Sequence, residues 1–229
     1  MNRIKKAIGY FSAAERILWS ASVFMILFSF LIFDRENHMT LFASLLGVTS
    51  LIFNAKGNPF GQLLMVVFSV LYGMISYTFA YYGEMITYLG MTMPMAVLAL
   101  ISWLKNPYKD SDEVKVGKIN KLHIIILSIS SIIVTIVFYY ILKYFNTTNL
   151  IISTISISTS YVAAYLTYLR SEYYAVAYGL NDIVLIVLWI LASIADISYL
   201  PIVFCFVMFL ANDTYGFINW LRMKKRQSV

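Results

Sequence analysis

The chain has 229 residues, of which 61% are hydrophobic and only 12% are charged, and its mean hydropathy is +0.78. Soluble domains carry about 25% charged residues, so this composition excludes a soluble globular protein and indicates an all-α polytopic protein whose partner is the lipid bilayer. The formal net charge of +6 is therefore interpreted as basic loops on one side of a membrane, and no nucleic-acid partner is expected.

Apolar runs of about 20 residues predict eight membrane-spanning helices. They cover residues 17–33, 39–53, 60–81, 85–104, 122–145, 150–169, 173–195 and 200–221. A basic stretch with Arg3, Lys5 and Lys6 precedes the first run, and no cleavable signal peptide is expected. The charged linker 105–121 is the only long polar loop, so no separate soluble domain is predicted.

The distribution of basic residues predicts the orientation of the helices. With the N-terminus in the cytoplasm, all of the 17 Lys and Arg residues except Arg35 and Lys143 fall in cytoplasmic loops or ends. Basic residues concentrate on the cytoplasmic side of membrane proteins. An even number of spans with both termini cytoplasmic is therefore predicted.

An internal repeat relates the two halves of the chain at a constant offset of 117 residues. The segment Ile101-Ser-Trp-Leu104 aligns with Ile218-Asn-Trp-Leu221, and Tyr82 aligns with Tyr199. Residues 39–104 and 149–229 are predicted as the two three-helix repeats, residues 105–148 as the linker and connecting helix, and residues 1–38 as an added span. Because each repeat has three helices, the one connecting helix gives both repeats the same orientation in the membrane. The repeat is therefore parallel, and the substrate is expected between the two halves.

Two asparagines in the last two spans mark the candidate binding site. Asn181 shares a helix face with Tyr174, Tyr178 and Trp189, while Asn212 shares a face with Tyr215. Polar side chains in spanning helices usually face other helices or a wet cavity. We expect the two faces to hold a flat, polar small molecule; the alternatives are amides that only join helices and aromatic residues of the interfacial belt.

Other polar residues of the spans have less distinct roles. Gln62 and Tyr72 share a face of the third span and are predicted to form the opposite wall of the site. Asp182 and Asp213 each follow an asparagine; one is a proton site in a proton-coupled carrier, or both are solvated acids near the cytoplasmic mouth. Glu84 is expected to be a loop residue.

Enzyme chemistry is not expected. The sequence contains no nucleophile–base pairing, no phosphate loop and no acid cluster for a metal. Cys205 is the only cysteine, and His38 and His123 have no metal-ligand spacing. Neither a metal nor a cofactor is predicted.

The chain resembles the PnuC family of bacterial nicotinamide riboside transporters, whose relatives include thiamine and riboflavin carriers. The resemblance covers residues 40–221 and rests on the repeat plan and on five short motifs. These are Gly61-Gln62, Tyr81-Tyr-Gly-Glu84, Asn181, Asn212 and Trp220.

Membership of this family implies a SWEET-like fold of three, one and three helices, often trimeric, in the bacterial inner membrane. It also implies vitamin uptake by facilitated diffusion, with phosphorylation in the cytosol trapping the substrate. Asn181 and Asn212 would hydrogen-bond the ligand, and neighbouring rings would stack on its heterocycle. The family's W-x-x-W pattern is changed here, because Tyr174 and Ala177 occupy the two tryptophan positions. Transport of another vitamin or nucleoside, or a non-transporting membrane subunit, is the alternative.

Overall fold

The computed structural model describes residues 9–78 and 82–228, which form eight long helices and no strand. The helices are α1 (Ala13–Phe33), α2 (His38–Ala55), α3 (Pro59–Thr78), α4 (Tyr82–Leu104), α5 (Lys121–Tyr144), α6 (Leu150–Tyr168), α7 (Tyr174–Ala195) and α8 (Leu200–Gln227). Each of the eight predicted spans corresponds to one helix that is long and apolar enough to cross a membrane. Arg3, Lys5, Lys6 and Tyr81 lie outside the described residues.

The helix ends follow local sequence signals. The Ser12 hydroxyl accepts a hydrogen bond from the Glu15 backbone N–H, and the Glu15 carboxylate accepts one from the Ser12 N–H, so α1 begins with a capping box. α5 begins after Asn120, whose side-chain oxygen accepts from the His123 N–H at 2.8 Å. α2 ends just before Gly57, whose φ of +67° suits glycine.

The fourth helix contains a π-helical turn, Tyr88–Thr92. The proline that follows, Pro94, has no backbone N–H, so the regular α-helical hydrogen bonds cannot continue unchanged through this point. The Met93 N–H bonds to the carbonyl of Tyr88, five residues back. Such turns are frequent at functional sites, and Tyr88 and Thr92 of this one line an internal cavity.

Two tryptophans connect opposite halves of the chain. The Trp103 indole N–H of α4 donates to the Thr167 carbonyl of α6 at 2.9 Å. The Trp220 indole N–H of α8 donates to the Asn54 carbonyl of α2 at 2.8 Å. Both rings are fully buried, with their centroids 5.3 Å apart. Each tryptophan therefore binds the end of a helix in the other half.

The residue before each tryptophan makes the same kind of contact. The Ser102 hydroxyl donates to the Tyr168 carbonyl at 2.8 Å, and the Asn219 amide donates to the Ala55 carbonyl at 2.7 Å. Tyr168 and Ala55 are the last residues of α6 and α2, whose final carbonyls have no partner within their own helix. We call these four side chains the tryptophan clasp: Ser102, Trp103, Asn219 and Trp220.

The charged linker between α4 and α5 is docked against the helix ends. The Val114 N–H donates to the Gly57 carbonyl at 2.8 Å, and the Gly117 N–H donates to the Arg170 carbonyl at 2.8 Å. Val114 itself is fully buried. Arg226 of α8 forms an ion pair with Glu113. The linker thus covers the basic end of the bundle.

Gly117→Ala is expected to destabilise this docking by about 1–3 kcal/mol, because a Cβ at residue 117 would lie 2.0 Å from the Leu169 carbonyl oxygen. The measurement is the thermal unfolding of purified protein. Gly90→Ala is the matched control, since a Cβ there meets only the Ile86 side chain, at 3.8 Å. Equal melting temperatures for the two variants would contradict the close approach at Gly117.

Candidate functional site

A cavity of about 70 Å³ lies in the middle of the bundle. Its described lining residues come from α2, α3, α4, α6, α7 and α8, and none comes from α1 or α5. Most of the wall is apolar or aromatic, including Phe68, Tyr88, Tyr178, Phe206 and Phe209. The cavity therefore lies between the two groups of three helices that the sequence repeat predicts.

Asn181 presents an amide to this cavity from α7. Its side-chain oxygen accepts a hydrogen bond from the Thr159 hydroxyl at 2.8 Å and a longer one from the Ser156 hydroxyl at 3.5 Å. Its Nδ2 has no hydrogen-bond partner among the described residues. α6 thus fixes the carbonyl side of the amide and leaves the donor side for a ligand.

Two carboxyl groups, Asp182 of α7 and Asp213 of α8, line the same cavity and are close enough to interact electrostatically. They are only 3% and 4% exposed. Oδ2 of Asp182 is buried and has no hydrogen-bond partner in the described part of the chain. No Lys, Arg or His is among the described lining residues, so nothing in the wall neutralises these acids.

Glu84 is the third acid of the cavity, and it also lines a second, larger space. This vestibule, of about 420 Å³, is bounded by the start of α4, the end of α7 and residues 145–149, at the end of the bundle opposite the basic linker. Glu84 is the one residue shared by the described walls of the cavity and the vestibule. Asp196 lies beside the vestibule, and a hydrogen bond from the Ser198 backbone N–H holds the pKa of that carboxyl below its usual value.

The opposite end of the cavity is covered by packed side chains. Tyr174, Trp103 and Trp220 form an aromatic cluster with Val114 of the linker and Met223 of α8. All five are at most 1% exposed. The cavity thus adjoins the vestibule on one side and a closed apolar layer on the basic side.

The structure brings three of the predicted site residues to the cavity. Asn181, Tyr178 and Gln62 line it, and the Gln62 amide donates to the Asn54 side-chain oxygen at 2.8 Å. Trp189 lies instead in the vestibule wall, with its ring 5.7 Å from that of Tyr199.

The other four predicted residues lie outside the described cavity wall. Tyr174 packs in the aromatic cluster, and Tyr72 packs against Phe68 at 4.6 Å. The remaining two, Asn212 and Tyr215, contact the N-terminal helix.

The Asn212 amide donates to the Ser22 hydroxyl at 3.0 Å, and the Tyr215 hydroxyl donates to the Glu15 carboxylate at 3.0 Å. Glu15 also forms an ion pair with Lys56 at 3.3 Å. These contacts join α8 to α1 and α2.

Sequence reasoning left Glu84, Asp182 and Asp213 out of the predicted site. The expectation that Glu84 is a loop residue was wrong, because it lies in the first turn of α4 and points to the interior. A usable signal existed for the two aspartates. Each follows an asparagine in the middle of an apolar run, where a carboxylate needs a partner or a wet cavity.

Eight spanning helices, six of which enclose a largely apolar cavity with three acids, define a polytopic membrane protein with the architecture of a small-molecule carrier. The family model described as Nicotinamide mononucleotide transporter matches residues 37–222, and the chain belongs to this family. The family is one of transporters, so the chain is a transporter rather than an enzyme.

Two known proteins are similar to this chain. The chain is 26% identical over 202 residues to a nicotinamide riboside transporter PnuC from Neisseria mucosa, covering 86% of this chain and 77% of that protein. It is also similar to the crystal structure of the vitamin B3 transporter PnuC, with a TM-score of 0.79 and 24% identity, over 95% of this chain and 94% of that one. The second similarity shows that the two chains share a fold.

Proposed function

We propose that this protein carries nicotinamide riboside across the membrane through the cavity at Asn181. The observation that carries the proposal is the composition of the wall: aromatic rings, a free amide donor and three carboxyl groups without a basic residue among the described lining. Nicotinamide riboside combines a pyridinium cation, an amide and a neutral ribose. Rings and carboxylates attract such a cation, and Asn181 can hydrogen-bond its polar groups.

The same wall favours the riboside over the mononucleotide. A phosphate group adds negative charge, and phosphate sites in proteins are built from Arg, Lys or backbone N–H groups at helix N-termini. The acids Glu84, Asp182 and Asp213 would repel it. Phosphorylation of the riboside after entry would then prevent its return, which is how facilitated diffusion with cytosolic trapping produces net uptake.

The cavity must widen during transport. Pockets for ligands of this size are about 300–1,000 Å³, well above the present volume of about 70 Å³. We propose that the two three-helix groups, arranged as a SWEET-like 3+1+3 parallel repeat, rock about the site. The matched contacts of the tryptophan clasp support this repeat, since each half caps a helix of the other.

The orientation proposed from the basic residues places the linker and both termini in the cytoplasm, within a bacterial inner membrane. The vestibule then faces outward, where substrate enters, and the apolar cluster around Trp103 and Trp220 forms the cytoplasmic barrier. The homotrimer implied by the family resemblance stays a prediction. The exposed apolar face of α5 is available to lipid or to a second copy.

A thermal-shift screen of purified protein tests the proposed substrate. The compounds are nicotinamide riboside, nicotinamide mononucleotide, thiamine, riboflavin and adenosine. A ligand at 100 times its Kd stabilises the folded protein by about 2.7 kcal/mol, so a clear rise in melting temperature is expected for nicotinamide riboside. A rise for thiamine alone would move the assignment to another cationic vitamin, and a rise for the mononucleotide alone would contradict the proposal.

Glu84→Gln is expected to lower the rate of nicotinamide riboside entry several-fold, because the carboxylate between vestibule and cavity attracts the cation along its path. The loss should shrink at high salt, which screens the attraction. Uptake into vesicles at low and high ionic strength measures it. Glu113→Gln, in the linker at the other end of the bundle, is the control. An equal loss at both salt concentrations would indicate a structural rather than an electrostatic role for Glu84.

A further inference from the structure

The aspartate pair of the cavity has a buried carboxylate oxygen that no donor among the described residues satisfies. Asp182 is 3% exposed, and its Oδ2, buried at the cavity wall, has no hydrogen-bond partner among the described residues. Asp213 faces it from the neighbouring helix. A buried carboxyl group in a membrane is stable only with a counter-charge, a donor or a proton. A proton that the two carboxyl groups share, or a cation, must therefore complete the pair.

In the part of the chain that the structure describes, no Lys, Arg or His lies beside the pair. Among the described residues, the titratable groups that share the cavity wall with the pair are Glu84 and Tyr88 from α4 and Tyr178 from α7, and those packed beside it are Tyr174 from α7 and Cys205 from α8. They are an acid, phenols and a thiol. α2 and α6 present only amide, hydroxyl and apolar side chains to the cavity. Lys56 and Lys224 are paired with Glu15 and Glu172.

Two carboxyl groups side by side in a medium of low dielectric cannot both be ionised without a neighbouring cation. When the cavity holds no cation, the pair therefore keeps one proton. When a pyridinium ring lies beside it, the positive charge replaces the proton.

We propose that Asp182 and Asp213 form a proton-binding site whose proton leaves to solvent when a cationic substrate binds. This inference rests on the proposed function and adds the proton that the binding site gives up when the substrate occupies it. The two carboxyl groups together with the bound proton then carry the same total charge as the two carboxyl groups together with the bound cationic substrate. A proton-coupled symporter would show the opposite behaviour, because its substrate binds more tightly at low pH.

Isothermal titration of wild-type protein with nicotinamide riboside tests the exchange, from about pH 5.5 to about pH 8.5, in buffers of different ionisation enthalpy. Affinity is expected to rise with pH by up to about tenfold per pH unit, with about one proton released per ligand at the acid end. The matched ligand is reduced nicotinamide riboside, whose dihydropyridine ring is neutral. Its affinity should not rise with pH.

The double variant Asp182→Asn/Asp213→Asn tests whether the released proton comes from these two carboxyl groups. It should bind nicotinamide riboside more weakly, with no proton release and no dependence on pH. Asp110→Asn/Asp112→Asn, which removes two exposed acids of the linker, should behave like wild type. Glu84→Gln should still release the proton.

Three results would overturn the inference. The first is wild-type affinity that does not change with pH, and the second is proton release that persists in the double variant; both leave nicotinamide riboside as the substrate. The third is no binding of nicotinamide riboside at any pH, which would also overturn the proposed function. If the double variant does not fold, the comparison of the oxidised and reduced ligands on wild-type protein decides alone.

Discussion

Asn181→Ala is expected to lower nicotinamide riboside uptake about fivefold or more without changing the amount of protein in the membrane. The substitution removes the free amide donor of the cavity and also the Asn181 oxygen that accepts from Thr159, whose hydroxyl keeps only the backbone carbonyls of Ile155 and Ser156 as acceptors. Loss of a buried hydrogen bond costs about 1–3 kcal/mol, and about 1.4 kcal/mol corresponds to a tenfold change in affinity. Uptake of labelled substrate into vesicles, normalised to protein content, measures the effect.

Two further variants distinguish a loss of substrate binding from a loss of helix packing. Ile183→Ala, on the lipid-facing side of the same helix and 49% exposed, is the control and should transport normally. Asn212→Ala removes a contact with Ser22 rather than a group of the described cavity wall, so the structure predicts a lower melting temperature with little change in substrate affinity. Normal uptake by Asn181→Ala would contradict the site assignment.

Trp220→Ala is expected to destabilise the protein by about 3–5 kcal/mol, the largest effect on stability of any change considered. The ring is fully buried between the halves, and its N–H caps the last turn of α2. Removing it creates a cavity and takes the indole donor from the Asn54 carbonyl, which keeps the Gly57 backbone N–H at 2.9 Å. The measurement is the melting temperature of purified protein, with Trp220→Phe separating the lost hydrogen bond from the lost volume.

Trp103 and Trp220 occupy equivalent positions in the two halves of the tryptophan clasp, so a matching prediction applies to Trp103. Trp103→Ala should be destabilising to a similar degree, because Trp103 makes the matching contact with the end of α6. Trp19→Ala is the control, since that ring is 38% exposed and its N–H donates to the Thr49 hydroxyl near the surface. A large loss for one buried tryptophan and none for the other would contradict equivalent roles in the two halves.

The positions of the helices could be predicted because each span is a long apolar run between polar loops. α6 illustrates the agreement: residues 150–169 were predicted, and Leu150–Tyr168 is observed. The π-helical turn in α4 could not be predicted from hydropathy alone. It depends on where Pro94 interrupts the hydrogen bonds.

The candidate site was only partly predictable. Helical periodicity shows which residues share one side of a helix, but it does not show which other helix packs against that side. Asn181 and Asn212 have similar sequence surroundings, yet Asn181 faces the cavity and Asn212 faces α1. The added N-terminal helix covers the face of α8 that would otherwise be free. By contrast, Asp213 is one residue on, which turns its side chain by about 100° toward the cavity.

The structure explains the sequence match between the two segments that contain Trp103 and Trp220. The sequence alone showed that Ser102-Trp103 aligns with Asn219-Trp220. The hydrogen bonds to the ends of α6 and α2 explain why a polar residue followed by tryptophan occurs at both places.

The most direct test of the proposed function is uptake by purified protein in liposomes, with labelled nicotinamide riboside and labelled nicotinamide mononucleotide measured side by side. We predict that the riboside equilibrates across the membrane and that the mononucleotide stays outside. We also predict that Asn181→Ala abolishes most of the riboside flux. Entry of the mononucleotide at the same rate as the riboside, or no entry of the riboside, would contradict transport through the acidic cavity.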